Sequence, residues 1–584
     1  MTAEQKVTRK LRAILSADVK GYSLLMTRDE ASTVQTLKEY RGIMSETIKG
    51  HSGRVVDAPG DNLLAEFPSA VEAVQCSVEI QNDLKIKNAE LPENKRLEFR
   101  IGVNIGNVIQ EGKSLYGEGI NIAARIEGLA RPGGICISRN VYDQVKNKLG
   151  VTFEYVGRKS VKNISDPVYL YKILLNPEDS EFIYGKKKKF DLPQKPSIAV
   201  IPFENLSGDS NFDHVCDAIT EEITTGLTNV PLLFVIARSS TSIYRGQKIE
   251  TQKIGRELGV QYVLEGSIQK SGERIRVTAQ LVDALNQRHL WADRYEGTIT
   301  DLFDFQDKIT IQILTALQVR LEKGHKSNIW AGATKNLTAL QRYLQAHEAF
   351  FKCADIITAR RLFKEAKDLD SGFSLPYVYL GWLHLFDAWL GLSESPEKSI
   401  QKAMELAQEA VRLYKTVAPD YSLLGKIYYT MGDVAKGIAT TRHAIEISPN
   451  DADCHVHLGG LLAFTGHPEE ALFWINKAVR LNPQGSWIYN VYFGMAYNIL
   501  GRYKEAIKAY KTALKQNPDN ILGLAGLVEG YCLFGKHEKA QNVTLEVYRV
   551  FPIFSAVYHA NAMGYRYKED TNRLLEALQK AGLK

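Results

Sequence analysis

Four polar side chains in the first quarter of this chain have types and spacings that suit chemistry. Asp18 ends the apolar run Ala13-Ile14-Leu15, and Val19 and a Lys20-Gly21-Tyr22 turn follow it. That pattern is a buried strand delivering one carboxylate to its end, where the backbone turns sharply. Asp61 arrives in VVDAPGDNLLAEF, residues 55–67, within the turn Pro59-Gly60-Asp61-Asn62 between two short strands. Two carboxylates at strand ends can share a pair of hard cations, because Mg²⁺ takes one or two protein carboxylates together with substrate phosphate oxygens. Taken singly, each Asp reads as an ordinary turn residue. Asn121 and Arg125 stand four apart in SLYGEGINIAARIEGLARPGG, residues 114–134, a glycine-opened helix stopped by Pro132-Gly133-Gly134. That spacing places them on one helix face. An amide beside a guanidinium suits a ribose and a phosphate that gains charge in its transition state.

Holding these residues requires a sheet with helices against it. Residues 29–50 have helical periodicity, with Val34, Leu37, Tyr40, Ile43, Met44 and Ile48 on one side. The hairpin carrying Asp61 comes next, then a helix from about Ser69 to Lys87. FRIGVNIGNVIQ, residues 99–110, reads as a strand; GICIS is another, and FEYVGRKSVKN leads to the last, PVYLYKIL. Strands interleaved with helices give an α/β or α+β sheet domain. GNVIQEGKS, residues 106–114, approaches a phosphate-binding loop, but five residues separate Gly106 from Gly112 where that loop has four. It reads instead as a hairpin connection.

ILSADVKGYS, PGDNLLAEF and YGEGINIAARIE, in that order, resemble the catalytic domain of class III adenylyl and guanylyl cyclases, over about Lys10 to Leu174. The resemblance implies conversion of a nucleoside triphosphate into a 3′,5′-cyclic monophosphate and pyrophosphate, by attack of the 3′-hydroxyl on the α-phosphorus. It implies two Mg²⁺ or Mn²⁺ ions per site, held by Asp18, Asp61 and the Val19 carbonyl. Asn121 then orients the ribose, Arg125 stabilises charge on the α-phosphate, and Lys162 in RKSVKNISDPV holds the triphosphate, with Lys159 as second choice. It also implies a homodimer, in which the Asp pair of one subunit faces the Asn and Arg of the other. Base recognition departs from the family. Asp57 stands four residues before Asp61, where adenylyl cyclases commonly have Lys and guanylyl cyclases Glu, and Ser114 aligns with the partner position. An Asp accepts from adenine or guanine, so hydrogen-bond counting leaves ATP and GTP both open. The company of the other domains favours ATP and an adenylate cyclase.

The chain has 584 residues, too many for one core, and 73 basic against 67 acidic residues, a net charge of +6. That balance is too mild to argue for nucleic acid. Cys76, Cys136, Cys216, Cys353, Cys454 and Cys532 are scattered without a CxxC pair, as in a reduced intracellular protein. The first residues lack the apolar core of a signal peptide, and no run of eighteen apolar residues exists, so no membrane span and a cytoplasmic location are expected.

The expected organisation is a cyclase domain at 1–174, a linker at 175–196 containing the solvated run Lys186 to Lys189, a small α/β domain at 197–299, a connecting amphipathic helix at 300–336, and a helical repeat region at 337–584. IAVIPFENLSGD, ARSSTSIY, ELGVQYVLEGSI and HLWADRYE in the middle domain resemble a TolB amino-terminal-like domain. By analogy it is a binding or coupling module. Its dense charges Asp213, His214, Asp217, Glu221 and Glu222 read as an exposed helix face. Gly432, Gly466, Gly501 and Gly535, and likewise Pro449, Pro483, Pro518 and Pro552, recur at the tetratricopeptide period, giving five or six repeats from about Leu337. Gly494 and Ala506 let paired helices approach, with Leu500 and Tyr510 filling the gap. Such repeats stack into an all-α solenoid that binds proteins or peptides. His455 and His457, two apart on a helix, do not share a face as metal ligands do. The expectation is therefore an ATP-consuming homodimeric cyclase with a sensor and scaffold behind it. The competing expectation is a non-catalytic nucleotide-binding regulator acting through its repeats.

Overall fold

The computed structural model describes residues 8–111, 114–146, 148–160, 164, 167–175, 190–209, 212–247, 249–317, 319, 334–351 and 355–584. The chain divides into two compact units, Met1–Ile183 and Tyr184–Lys584.

The first unit is built on β1 (Thr8–Val19), whose residues 13–17 are wholly buried. It pairs antiparallel with β3 (Leu63–Phe67) on one side and β4 (Phe99–Glu111) on the other. β2 (Arg54–Asp57) flanks β3, and β5 (Ser114–Tyr116) folds back along the end of β4. Beyond β4 lie β6 (Ile135–Ser138), β7 (Thr152–Lys159) and β8 (Val168–Leu174), so the order is β2-β3-β1-β4-β6-β8-β7. Five helices accompany this sheet: α1 (Tyr22–Arg28), α2 (Glu30–Gly50), α3 (Ala70–Ala89), α4 (Glu118–Glu127) and α5 (Arg139–Val145). α2 starts where the Asp29 carboxylate accepts from the Ser32 amide, and α3 where the Ser69 hydroxyl accepts from the Glu72 amide. α2 buries Leu37, Tyr40, Met44 and Ile48 at helical spacing. The short α1 and α5 fall outside the sequence reading, being too brief to show a period.

α4 packs straight onto β4, and two glycines allow it. A Cβ on Gly102 would sit 2.3 Å from the Glu127 amide nitrogen and 2.4 Å from the Ala123 carbonyl oxygen, and one on Gly106 would sit 3.0 Å from the Gly119 Cα. The glycines of FRIGVNIG therefore bring the helix carrying Asn121 and Arg125 against the strand beside Asp18.

The second unit begins with a six-stranded sheet: β9 (Ser197–Val200), β10 (Glu204–Asn205), β11 (Phe234–Val235), β12 (Tyr262–Ser271), β13 (Arg274–Asp283) and β14 (Arg288–Thr298). β9 is parallel to both β11 and β12, and β12, β13 and β14 form an antiparallel meander. α6 (Asp213–Thr228) buries Ile219, Ile223 and Leu227 against it, and the helix Leu302–Ala316 adds Ile309 and Ile313 to the same core. The charged side of α6 is not an exposed face. Glu222 is 5% exposed, and Asp217 is ion-paired to Arg238. A charge pattern alone cannot distinguish solvent from a polar cavity.

Paired helices follow, from Leu337–Phe351 to Lys568–Lys580. Among the described residues there are seven pairs, where the sequence pattern indicates five or six. The last pair, Ala556–Ala562 with Lys568–Lys580, lacks the periodic Gly and Pro marks. Tyr510 is fully buried between Gly494 and Gly526, where a Cβ would lie 2.5 and 2.3 Å from its ring. His455 and His457 are structural: each Nδ1 lies 2.8 Å from an oxygen, of the Asp451 carbonyl and the Ser422 hydroxyl respectively. The five described cysteines are free and buried. No described helix is long and apolar enough to cross a membrane.

Candidate active site

β1 delivers Asp18 to the edge of the first unit, where Lys20 donates to the Glu98 carbonyl and Gly21, at φ 72°, turns the chain into α1. The second carboxylate comes from the β2–β3 hairpin. Gly60, at φ 57°, makes that turn possible, and Arg41 of α2 clamps it by donating to the carbonyls of Gly60 (2.7 Å) and Asn62 (2.8 Å). Asp61 then reaches back to β1, its Oδ2 3.3 Å from the Val19 amide nitrogen, which donates to it. The two carboxylates are thus brought to one strand end, as their motifs indicate.

Two further groups join them that sequence reasoning did not single out. Arg100 lies directly opposite Asp18 in the β1–β4 register and donates to it through Nε at 2.9 Å and through Nη2. Hydrogen bonding to Asp18 holds the guanidinium more basic than usual, against its partial burial. Glu127, 5% exposed at the end of α4, accepts from the Ser16 hydroxyl and from Asn62 Nδ2 at 3.3 Å. Burial, with the nearby Asp18 charge, pushes its carboxyl up against the Ser16 hydrogen bond. α4 is therefore tied to the strand that carries Asp18 and to the hairpin that carries Asp61. The only sequence signals for these residues were the position of Arg100 in the strand and of Glu127 two residues after Arg125.

Asn121 and Arg125 have a different setting. α4 buries Ala123, Ile126 and Glu127 toward the sheet and leaves both residues exposed. Among the described residues neither has a hydrogen-bond or ion-pair partner. They share one face, as their spacing requires, but it is not the face that meets the Asp18 and Asp61 cluster. Asp57 is exposed at the end of β2 and accepts from the Ala58 amide at 2.8 Å. β5, which begins at Ser114, comes alongside β2. Lys159 is exposed at the end of β7, and Lys162 lies outside the described residues.

The donor set suits a hard cation. Two carboxylates converge on one strand end, and among the described residues no group of three or more His, Cys, Asp or Glu is placed to hold a metal by itself. That is the donor count expected of Mg²⁺ sharing its shell with substrate phosphates. Arg100 occupies Asp18 with a positive charge of its own.

Two carboxylates gathered at the end of β1, with an amide and a guanidinium exposed on one face of α4, are what the sequence resemblance to nucleotidyl cyclases implies, and the chain belongs to the adenylate and guanylate cyclase family. Residues 6–174 match the family model described as the adenylate and guanylate cyclase catalytic domain. The protein named "Putative adenylate cyclase 3" of Rhizobium meliloti (strain 1021) is 37% identical over 415 residues, 70% of this chain and 70% of that one. An adenylate/guanylate cyclase/hydrolase from Silicibacter pomeroyi of known crystal structure is 35% identical, covers 29% of this chain and 99% of its own, and superposes with a TM-score of 0.28. The TolB-like domain expected from the motifs of this region is not what matches: residues 194–312 match instead the second domain of HilA/YgeH-like transcriptional regulators. The transcriptional regulator HilA of Salmonella typhimurium (strain LT2) is 28% identical over 190 residues, 32% of this chain and 34% of HilA. Tetratricopeptide models match 421–451, 452–484 and 494–520.

Proposed function

We propose that the first unit converts ATP into 3′,5′-cyclic AMP and pyrophosphate at a site assembled between two copies of the chain. The observation that carries this reading is the separation of its polar groups. Asp18 and Asp61 gather at one strand end, while Asn121 and Arg125 stand exposed on α4, without partners among the described residues. Two copies related by a two-fold axis would bring the carboxylates of each to the amide and guanidinium of the other, giving two equivalent sites.

In this reading Asp18, Asp61 and the Val19 carbonyl would hold the divalent cations, and Arg100, which donates to Asp18, would compete with them for that carboxylate. When bound, a pair of Mg²⁺ or Mn²⁺ ions favours the ionised 3′-hydroxyl and neutralises the triphosphate. Asn121 orients the ribose so that its 3′-oxygen faces the α-phosphorus in line with the departing pyrophosphate. Arg125 places its guanidinium where charge builds in the transition state, a contribution of about two to three orders of magnitude in turnover. Lys162, or Lys159, meets the triphosphate. Asp57 and Ser114 meet the base, and a carboxylate at Asp57 accepts from the adenine amino group. The middle domain and the repeats act as a sensor and scaffold that takes a protein or peptide partner.

The test is cyclic nucleotide production by the purified full-length protein, with ATP and GTP in parallel, each with Mg²⁺ and Mn²⁺, and with Asp18→Ala as control. Cyclic AMP that disappears in the variant supports the reading. Cyclic GMP alone keeps the chemistry and reverses the base. Nucleotide-induced stabilisation without product under any condition favours the non-catalytic regulator.

A further inference from the structure

The second unit contains a cavity of about 950 Å³ between α6 and the paired helices, in the size range of sites for small organic ligands. The two parts are joined around it. Arg480 donates to the carbonyls of Leu258 (3.0 Å) and Gly259 (2.7 Å), Asn450 to that of Val230 (3.2 Å), and Ser240 to Asn482 Oδ1 (2.6 Å). Its walls therefore belong to one packed structure.

The lining is acidic and aromatic. Seven carboxylates face two guanidiniums, with no lysine among the described lining residues. Both guanidiniums are engaged: Arg238 lies 2.9 Å from Asp217 and 3.4 Å from Glu221, and Arg245 pairs with Asp217. Glu222 is 5% exposed and has no hydrogen-bond or ion-pair partner among the described residues. On the repeat side, Asp453 is met by the Tyr489 hydroxyl at 2.7 Å and Asp451 caps its helix by accepting from the Cys454 amide. Neither has a cation beside it among the described residues. Glu221 from α6 and Asp451 and Asp453 from the repeats each raise the proton affinity of the buried Tyr343 hydroxyl, after burial itself. Burial pushes Glu222 up to about 8, helped by Glu221 and Asp307, and pushes Asp453 up to about 6, helped by Asp451. Separately from the acids, the Trp487 side chain, 9% exposed, lines this cavity, and its indole nitrogen is buried without an acceptor among the described residues. Tyr379, Trp382 and Phe386 supply apolar and π surface.

Buried carboxylates without counter-charge are costly, and a lone buried donor adds to that cost. Aromatic faces are poor surroundings for an anion and good ones for a cation. We infer that this cavity is a binding site for a small organic ammonium ion, whose charge meets the carboxylates of the lining, Glu222 on the α6 side or Asp453 on the repeat side, and whose stem lies on the aromatic wall. The site lies outside the cyclase domain, and its test involves no nucleotide.

The experiment is calorimetric titration and thermal melting of the full-length protein with four probes of one stem length: 5-aminopentan-1-ol, 1,5-diaminopentane, pentane-1,5-diol and glutarate. The two amines should bind and raise the melting temperature by about two degrees or more at saturation, while the diol and the dianion do nothing. Glu222→Gln keeps the shape of the neutral acid, so it should not lower the melting temperature of the empty protein. It should weaken amine binding about tenfold or more, by the worth of a charged hydrogen bond. Asp453→Asn should do the same and guards against misfolding of the first variant. Equal shifts with the diol, no binding of either amine, or amine affinity unchanged in both variants would overturn the assignment. So would a lysine-rich peptide that binds where the amines do not.

Discussion

If each site takes its carboxylates from one protomer and its amide and guanidinium from the other, two inactive variants must repair each other. Asp61→Ala removes one carboxylate, and the side-chain contact it loses is a long one, 3.3 Å to the Val19 amide. Arg125→Ala acts on an exposed, unpartnered helix residue, and alanine is the best helix former, so α4 should persist. Each variant alone should lose about two to three orders of magnitude in turnover, a deficit of about 3–4 kcal/mol in transition-state stabilisation. In a mixed dimer the two lesions fall together in one site and leave the other site intact. Random assembly of equal amounts makes half the dimers mixed, so co-expression should recover about one quarter of wild-type activity, and purified mixed dimers about one half. The background from the like-paired dimers is at most about one per cent, so the recovery is easily read. The assay is cyclic AMP production by co-expressed chains carrying two different tags, purified sequentially on both. Activity no higher than that of the single variants would refute an intersubunit site, because lesions within a self-contained protomer cannot complement.

Other perturbations test the neighbourhood and the rest of the chain. Arg100→Met removes a charged hydrogen-bonded pair whose side chains are only 17% and 20% exposed, and should cost about 1–3 kcal/mol without divalent cations. Because Arg100 competes with a cation for Asp18, Mg²⁺ should then raise the melting temperature more in the variant than in the parent; equal increments would remove Arg100 from the site. Gly102→Ala puts a methyl 2.3 Å from the Glu127 amide nitrogen, forcing α4 off β4, so it should cost about 3 kcal/mol or more in denaturant titration and abolish activity. A parent-like transition midpoint would contradict the close packing. Asp420 is fully buried, its carboxylate oxygens have no partner on another residue among the described ones, and burial raises it to about 8. The folded state then holds a proton that the unfolded state releases near pH 4, so stability should fall as pH rises from about 4 to about 8. Asp420→Asn should flatten that decline, and an unchanged melting slope would exonerate Asp420.

What was legible in the sequence follows from how far apart the cooperating residues lie. The Asp18 and Asp61 turns, the Asn121/Arg125 helix and the repeat period are local patterns, and each could be read from a short window. The Arg100–Asp18 pair depends on the register of β1 against β4, which brings residues 82 positions apart into contact. No local window contains that information. Glu127 has the look of an exposed helix carboxylate until Gly102 is seen to draw that side of α4 onto the sheet. The charges of α6 misled for the same reason. A polar stripe on a helix says only that its surroundings are polar, and here they are a cavity closed by helices more than a hundred residues later in the chain.

The two sets of unpartnered polar groups also differ in weight. Asn121 and Arg125 are exposed, and water satisfies them at almost no cost, so their lack of partners among the described residues permits an intersubunit site without requiring one. Their case rests on type, spacing and the carboxylates at the end of β1. Glu222 is buried, and a carboxyl there with no partner among the described residues opposes folding by an amount comparable to a fair part of a domain's net stability. A fold tolerates such groups where something outside the chain completes them. For that reason the cavity of the second unit, though no sequence motif marks it, makes a physically stronger demand for an occupant than the exposed face of α4 makes for a second subunit.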